Sequence, residues 1–280
     1  MSVINTNVKA LVAQNALTVN NRVLSKSMEQ LSTGKRINSA ADDAAGLAIS
    51  NKMTSQIRGL NQAVRNANDA ISMIQTAEGA LSEVNNMLQR MRELSVQAAN
   101  DTNSADDRTF LQLEVAELIL EIDRISENTQ FNKMEILDDT SATAVGDTAG
   151  TAVFQVGANG TNTNISITFR NVDSVTLGVD GIDIKEQADA QAAIDTIDDA
   201  IKEIDTDRAT YGATINRLTY AADNMANISA NTAASRSRVL DTDYAQVTTN
   251  LARAQIIQQA GTAMLAQANQ QPASVLSLLQ

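Results

Sequence analysis

Apolar and small residues recur at alternating spacings of three and four along one long stretch of the chain. The members of this first seam are Ile74, Ala77, Leu81, Val84, Leu88, Met91, Ser95 and Ala98. Such spacing places every member on one face of an α-helix, at the a and d positions of a heptad repeat. The pattern predicts a long helix that packs lengthwise against other helices.

Two further stretches carry the same repeat. One runs from Leu111 to Ile125, and the other, the most regular of the three, runs from Ile194 to Met225. Residues 101–104 supply turn and N-cap residues between the first two seams, so we expect those helices to be antiparallel. A helix from 188 to about 235 would be about 70 Å long. The sequence predicts a mainly α fold, a long antiparallel coiled-coil rod.

The period changes between residues 146 and 181, which hold half of the twelve glycines. Residues 153–156, 165–169 and 175–177 alternate in polarity and are rich in β-branched side chains. Alternation with turn residues between the runs is typical of short antiparallel strands. We therefore expect a small central β-hairpin region with three strands.

The two ends of the chain carry weaker apolar stripes. Leu17, Leu24 and Leu31 repeat at intervals of seven, and a stripe of small and aliphatic residues that includes Leu251 and Leu265 lies near the C-terminus. Neither stripe alone would bury enough surface to be secure. We expect the two terminal helices to pair with each other.

The composition excludes most enzyme chemistry. The chain has no His, Cys or Trp, which removes disulfides, imidazole or thiolate ligands and Ser-His or Cys-His catalysis. A formal net charge of -12 argues against nucleic acid as a general partner. The acidic pairs match no metal-binding pattern and suit helix N-termini. We expect no enzymatic activity, no metal and no cofactor.

No segment has the features of a membrane span or of a cleavable secretory signal. The N-terminus lacks a cationic segment followed by a continuous apolar run, and no apolar run reaches membrane-spanning length. Residues 254–280 are uncharged, but their many Gln and Asn side chains are too polar for lipid. We expect no membrane insertion, and we interpret this tail as a segment that binds protein.

Several long strings together resemble bacterial flagellin. They are NTN at 5–7, LSTGKRINSAADDAAGLAI at 31–49, QTAEGAL at 75–81, RMRELSVQAAN at 90–100, TQFN at 129–132 and SVLSLLQ at 274–280. The resemblance covers about 1–140 and 188–280. The interval between is short, so the chain resembles a minimal flagellin without large outer domains.

The resemblance implies a domain organisation. Residues 1–33 with 240–280 would form an inner terminal coiled-coil domain, and 34–46 with about 236–239 would be the connector. Residues 47–235 would form an outer helical domain with helices over 47–100, 105–128 and 188–235, including strands in about 140–184.

The resemblance also implies a function and its partners. The subunit would be exported unfolded, secreted and polymerised into the extracellular filament that propels the cell. Its partners would be other copies of itself, a flagellar export chaperone, the filament cap and hook-filament junction proteins, and a flagellin-sensing Toll-like receptor of the host.

Three sets of candidate residues follow. The terminal coiled-coil residues expected to act in polymerisation are Leu17, Leu24, Leu31, Leu251 and Leu265. The receptor-contact candidates implied by the resemblance are Gln89, Arg90, Arg92, Glu93, Leu94, Gln97 and Glu114. The export-chaperone candidates are Val275, Leu276, Leu278 and Leu279.

Other interpretations of these residues and of the chain are open. The C-terminal candidates could serve only in filament packing. The receptor-like segment overlaps the heptad seam at Met91 and Ser95, so its pattern could serve in packing. The nearest rival function is the homologous hook-filament junction protein. A further alternative is an adhesive module on the strands from 153 to 184, which would show a pocket or an exposed apolar patch there. The absence of His and the short central interval argue against an enzymatic flagellin.

Overall fold

Helices occupy most of the computed structural model, which describes residues 6–138, 150–160 and 163–277, with side chains described as far as 270. The elements are α1 (Val8–Thr33), α2 (Ala44–Ala98), α3 (Ala105–Asn128), β1 (Gln130–Phe131), β2 (Met134–Glu135), β3 (Thr151–Gln155), β4 (Asn164–Thr168), α4 (Gln187–Leu240) and α5 (Tyr244–Ser277). The mainly α fold with small antiparallel strand pairs is confirmed. The start of the expected strand region, 140–149, lies outside the described residues.

The helix ends follow from local capping chemistry. Gly34 ends α1 in the left-handed conformation, with φ 69°, and donates its N–H to the carbonyl of Gln30. Ser104 and Asp107 form a reciprocal capping box at the start of α3, in which each side chain accepts the other residue's backbone N–H. Asp43 caps α2 by accepting the N–H of Gly46 at 2.8 Å.

Contacts divide the chain into two compact units. The first, which we call the terminal unit, comprises residues 1–57 and 230–280, and the second, the central unit, comprises residues 58–229. Each unit is therefore built from segments of more than one helix.

The core of the central unit is the set of heptad seams. All eight members of the first seam, from Ile74 to Ala98, are 0 % exposed. Val115 and Ile122 of α3 and Ile197, Ile204 and Leu218 of α4 are also completely buried. Among the described residues, the fully buried aromatic side chains are Phe169 and Tyr211, whose ring centroids lie 5.5 Å apart, and the rest of the buried core is aliphatic. Burial of this apolar surface is the main source of stability for the unit.

One hairpin occupies the expected β region. Strands β3 and β4 pair antiparallel, with Thr151 opposite Thr168 and Gln155 opposite Asn164. Ile165 and Ile167 of β4 are buried in the core of the central unit, whereas Val153 of β3 is exposed. The alternation seen in the sequence therefore places one face of β4 on the helices.

The prediction of a third strand at 175–177 is wrong. The chain turns there, because the carboxylate of Asp173 accepts the N–H of Thr176 at 2.7 Å and the carbonyl of Asp173 accepts the N–H of Leu177. These local bonds satisfy the backbone without a neighbouring strand. Gly178 follows the turn with φ 69°, a conformation that glycine adopts without strain.

A second hairpin was not anticipated from the sequence. Strands β1 and β2 contain two residues each and are joined by Asn132 and Lys133, which both have positive φ, 52° and 66°. Two central residues with positive φ give a tight turn whose twist matches the flanking strands, and Asn at the first position favours it. Strands of two residues are too short to produce a detectable alternation.

The seam makes a direct prediction about stability. We expect Leu88→Ala, at a completely buried position, to lower the free energy of unfolding by about 2–5 kcal/mol, because it deletes packed apolar atoms and leaves a cavity. The matched control is Leu113→Ala, at a position 62 % exposed on α3, with an expected change of about 0.5 kcal/mol or less. Urea denaturation followed by circular dichroism measures both, and equal losses would contradict the assigned core.

Candidate functional site

Helices α1 and α5 pack against each other in the terminal unit, and the five leucines expected to act in polymerisation lie along this interface. Each of these leucines is half-buried, and none is fully enclosed. Those on α1 share a face with the buried Asn20 and Ser27, and those on α5 share a face with Ala254 and Gly261. The leucines therefore serve first to join the two helices of one chain.

A different set of apolar side chains is left exposed on the same helix pair. Val8, Val12, Val19 and Val23 of α1 fall within about 60° of each other around the helix axis and are 48–63 % exposed. We call them the valine stripe. Leu11 on α1 and Ile256, Ile257 and Met264 on α5 are exposed as well. Exposed apolar residues at this density mark an interaction surface.

Sequence reasoning selected the leucines and missed the valine stripe. The leucines repeat at intervals of seven and therefore stand out, whereas the valines at 8, 12, 19 and 23 are spaced four, seven and four apart. The spacing of the valines also places them on one face of a helix, and it is the sequence signal that could have identified them.

The receptor-like segment lies on α2 in the central unit. Gln89, Arg90, Arg92, Glu93 and Gln97 are exposed, as is Glu114 on α3, whereas Leu94 is 1 % exposed. Leu94 therefore packs into the core, because it lies one turn from Met91 on the buried face of the helix. Met91 and Ser95 are completely buried, as the seam predicts.

Ion pairs join α2 to the helices on either side of it. The guanidinium of Arg90 contacts Glu114 of α3 at 2.8 Å and Glu93 at 3.0 Å. Hydrogen bonding to Glu114 and then to Glu93 raises the pKa of Arg90. Arg92 forms a bidentate interaction with Asp198 of α4, with its Nε atom 2.5 Å from Oδ1 and its Nη2 atom 3.1 Å from Oδ2. This partner was not identified from the sequence. The surface is charged, exposed and held in one arrangement by paired side chains.

The segment between α1 and α2 is fixed by hydrogen bonds to the end of α4. Arg36 donates its backbone N–H to the carbonyl of Leu240 at 2.7 Å and its guanidinium to the carbonyl of Val239 at 2.7 Å. Thr242 donates its N–H back to the carbonyl of Gly34. The segment is therefore an ordered structural element and not a free linker.

Asp42 organises the same segment internally. Its carboxylate accepts the backbone N–H groups of Asn38 and Ser39 and contacts the ammonium of Lys26 on α1 at 2.8 Å. The hydrogen bond from Lys26, followed by those from Ser39 and Asn38, holds the pKa of Asp42 well below its ordinary value near 3.8. A single side chain thus ties α1 to the segment that follows it.

The export-chaperone candidates lie at the C-terminal end of the chain, where the described backbone ends at Ser277. The backbone of α5 runs through Val275 and Leu276 to Ser277, but their side chains, and Leu278 and Leu279 entirely, lie outside the described residues.

Other kinds of site find little support in the part of the chain that the structure describes. There, no group of three or more acidic side chains is arranged to hold a metal ion, and no helix is long and apolar enough to cross a membrane. A shallow cleft between β4 and α4 is lined by hydroxyl groups of Ser166, Thr168, Thr210 and Thr214. The lining also includes Ile167, Phe169 and Asp207, and the hydroxyl groups of Thr210 and Thr214 donate to carbonyls of their own helix. Among the described residues, none of these hydroxyl groups is hydrogen-bonded to a basic side chain.

Known families match the two ends of the chain, and known relatives match nearly its full length. The family model described as the bacterial flagellin N-terminal helical region matches residues 4–142, and that of the C-terminal helical region matches 194–279. A flagellin from Halalkalibacterium halodurans is 46% identical over 278 residues, covering 99% of both chains. The flagellar filament 33 kDa core protein of Treponema phagedenis is also 46% identical, over 288 residues and 99% of both chains.

A solved structure agrees with these matches. The crystal structure of Bacillus cereus flagellin superposes with a TM-score of 0.51 at 33% identity, covering 57% of this chain and 88% of that chain.

The arrangement around Asp42 predicts an acid-sensitive contribution to stability. A depressed pKa in the folded state means that the contribution is fully present above the ordinary carboxyl pKa of 3.8 and is lost as pH falls through the folded value. We expect Asp42→Ala to unfold at lower urea concentration than the parent at pH 7, and the difference to shrink below about pH 4. The control is Glu29→Ala, which removes an exposed acid from α1 and should leave the urea midpoint at pH 7 close to that of the parent.

Proposed function

Because the chain belongs to the bacterial flagellin family, we propose that it assembles through the exposed apolar surface of its α1–α5 helix pair. Members of this family are structural proteins of the flagellar filament and not enzymes. The chain is accordingly a filament subunit that polymerises with itself and acts outside the cell as part of the flagellum.

The observation that carries the proposal is the valine stripe. In a monomeric protein, four exposed valines on one helix face would be an aggregation liability. In a helical polymer the same surface is covered by neighbouring copies, and contacts between different patches repeat without closing. The half-buried leucines behind the stripe hold the helix pair in position, so the two sets have different roles in assembly.

The layer assignment extends this proposal. Residues 1–33 and 240–280 would form the inner layer of the filament, 34–46 with about 236–239 the connector, and 47–235 the outer layer. The packing of α1 on α5 and the hydrogen bonds between Arg36 and the end of α4 support this division. The short interval between the flagellin-like regions supports a subunit without large outer domains.

Export is the step that would precede assembly. The subunit would pass unfolded through the flagellar secretion channel, with Val275, Leu276, Leu278 and Leu279 held by an export chaperone until then. The uncharged sequence of residues 254–280 supports protein binding by this tail, and the absence of cysteine suits a chain that travels unfolded. The filament cap and junction proteins would be its neighbours at the ends of the polymer.

Recognition by the host Toll-like receptor is a second proposed function of α2 and α3. The exposed candidates Gln89, Arg90, Arg92, Glu93 and Gln97 of α2, with Glu114 of α3, support it. Arg90 and Glu114 lie in direct contact, so a receptor would meet them as one charged patch. The buried Leu94 would support the helix from inside and would not touch the receptor.

The assembly proposal predicts two variants that block growth for different reasons. Leu24→Asp places a carboxylate in the half-buried interface and should stop polymerisation while the helix over 188–235 stays folded, because a buried charge is costly. Val12→Asp places the charge on the exposed stripe and should stop polymerisation without loss of helix content.

The measurement is electron microscopy of purified subunits mixed with sheared filament seeds. The control is Asn21→Asp, which adds the same charge at an exposed polar position on the opposite side of α1 from the valine stripe and should leave growth intact. Filaments of normal length from Val12→Asp would contradict the role of the stripe. Seeds that fail to elongate with the parent chain would favour the hook-filament junction protein instead.

The receptor proposal predicts that receptor signalling and filament assembly depend on different residues. We expect Arg90→Ala to abolish receptor signalling in a reporter cell assay while seeded growth continues, because the lost charge lies on the surface and not in the core. The matched control is Arg124→Ala, which breaks a comparable exposed pair with Glu121 on α3. Unchanged signalling by Arg90→Ala would remove the assignment.

A further inference from the structure

The turn between β3 and β4 contains a chemically reactive pair of residues. Asn159–Gly160 is the one place in the sequence where Asn precedes Gly. Both residues are exposed, and a Cβ atom added to Gly160 would meet no heavy atom within 4 Å apart from its chain neighbours. Because glycine has no side chain, its backbone nitrogen is open to approach by the side chain that precedes it. The Gly160 nitrogen can therefore reach the side-chain amide of Asn159.

The two groups that would react are not engaged elsewhere. Among the described residues, neither the N–H of Gly160 nor the side-chain amide of Asn159 has a hydrogen-bond partner. The asparagines inside helices are different, because the N–H that follows each of them is held in the helical hydrogen-bond ladder. The turn therefore leaves free a backbone N–H that a helix would occupy.

The backbone carbonyl of Asn159, by contrast, accepts two hydrogen bonds. The Nε2 atom of Gln155 lies 2.7 Å from this oxygen, and the hydroxyl group of Thr163 also donates to it. The same Nε2 atom lies 2.6 Å from the hydroxyl oxygen of Thr163 and, in a longer contact, 3.0 Å from the carbonyl of Gly157. The amide of Gln155 has two protons, so it can bond to both Asn159 and Thr163. We call Gln155 and Thr163 the donor pair.

Packing of the hairpin holds the donor pair in place. A Cβ atom added to Gly157 would lie 2.5 Å from the Cβ atom of Thr163, so Thr163 fills the space that this glycine leaves. The N–H of Val156 donates to the carbonyl of Thr163 at 2.9 Å, and Gln155 pairs with Asn164 across the two strands. Strand pairing therefore fixes both donors relative to the Asn159 carbonyl.

Hydrogen bonds to this carbonyl favour loss of the Gly160 proton. When a backbone N–H is deprotonated, resonance moves negative charge onto the carbonyl oxygen of the same peptide group. That oxygen belongs to Asn159, and the donor pair already points at it. Donors aimed at an oxygen that gains charge stabilise the anion and the transition state that leads to it. The donor pair thus makes the Gly160 nitrogen a better nucleophile.

We propose that Asn159 is a site of self-modification in the folded chain, with Gln155 and Thr163 activating the Gly160 nitrogen. Hydroxide or another base from solvent removes the Gly160 proton, and the nitrogen forms a bond to Cγ of Asn159. The bond from Cγ to the side-chain nitrogen breaks, and ammonia leaves after taking a proton from water. Water then opens the cyclic imide at either carbonyl, which gives aspartate or its β-linked isomer, isoaspartate.

The product changes the tip of the hairpin. Aspartate and isoaspartate both add a negative charge there, and isoaspartate also adds a methylene group to the backbone. Converted Asn159 would increase with the age of a filament, because an assembled subunit lies outside the cell and beyond cytoplasmic repair. This consequence rests on the proposed function, whereas the reaction itself requires only the central unit of one chain.

The test follows conversion of Asn159 in the purified, soluble, full-length chain at mildly alkaline pH. Peptide mass spectrometry detects the exchange of the amide for a carboxyl group, and enzymatic methylation of isoaspartate detects the isomer. Circular dichroism measures the helix content of each variant, and the urea-unfolded parent gives the rate without the turn.

We expect the folded parent to convert at Asn159 ahead of its other asparagines. Gln155→Glu keeps the shape of the side chain but replaces the donor with an acceptor, and it should slow conversion about tenfold. Thr163→Val removes the other donor with little change of shape and should slow conversion by a similar factor.

The matched control is Ser104→Gly, which creates a second Asn–Gly pair in the central unit at Asn103. The N–H of residue 104 donates to the carboxylate of Asp107 at 3.0 Å, and a bond from an N–H to a carboxylate opposes loss of its proton. Glycine at this N-cap position destabilises α3 only slightly. Asn103 should therefore convert more slowly than Asn159 in the same molecule.

An Asn159 that stays unmodified in the folded parent while the urea-unfolded chain converts would overturn the site. Conversion at the parental rate in both Gln155→Glu and Thr163→Val would overturn the role of the donor pair. Because soluble subunits are measured, these results stand whether or not seeded growth supports the proposed assembly surface.

Discussion

Burial of one aliphatic surface along long helices is the constraint on which the rest of this structure depends. With aromatic residues at 2% of the chain, no large rings are available to fill a globular core. Stability must come from many small and medium side chains, and heptad repeats bring these together at high density. The fully buried seam of α2, with its counterparts on α3 and α4, is the result.

The terminal unit encloses its apolar side chains less completely than the central unit does. Its helix pair half-buries the leucines, encloses an amide and a hydroxyl, and leaves a row of valines in solvent. An interface of this kind buries little apolar surface within one chain. The valines and the half-buried leucines therefore lie on different sides of the same helix.

The charged face of the central unit combines ion pairing with exposure to solvent. Arg90 and Arg92 join α2 to α3 and α4, and the same guanidinium groups are exposed to any approaching partner. Exposed ion pairs contribute little to stability. Their effect here is to hold the side chains in a fixed pattern, which favours recognition by a complementary surface.

The sequence by itself determined the periodic features. The helices and the buried members of each seam follow from local spacing, because helix geometry converts a spacing directly into a face. The turn and N-cap residues at 101–104 were likewise recognisable from their residue types. The family resemblance was likewise readable from ordered strings. The turn at 175–177 was misjudged because the Asp173 carboxylate supplies bonds that alternation alone does not reveal.

Only the tertiary structure decided which residues meet across the chain. The contacts of Arg92 with Asp198, of Asn20 with the carbonyl of Ala254 and of Leu17 with Gly261 join positions 106 or more residues apart, which no local spacing encodes. The same is true of the two apolar sets on α1. Both have helical periodicity, and only the position of α5 determines that the leucines are covered and the valines are not.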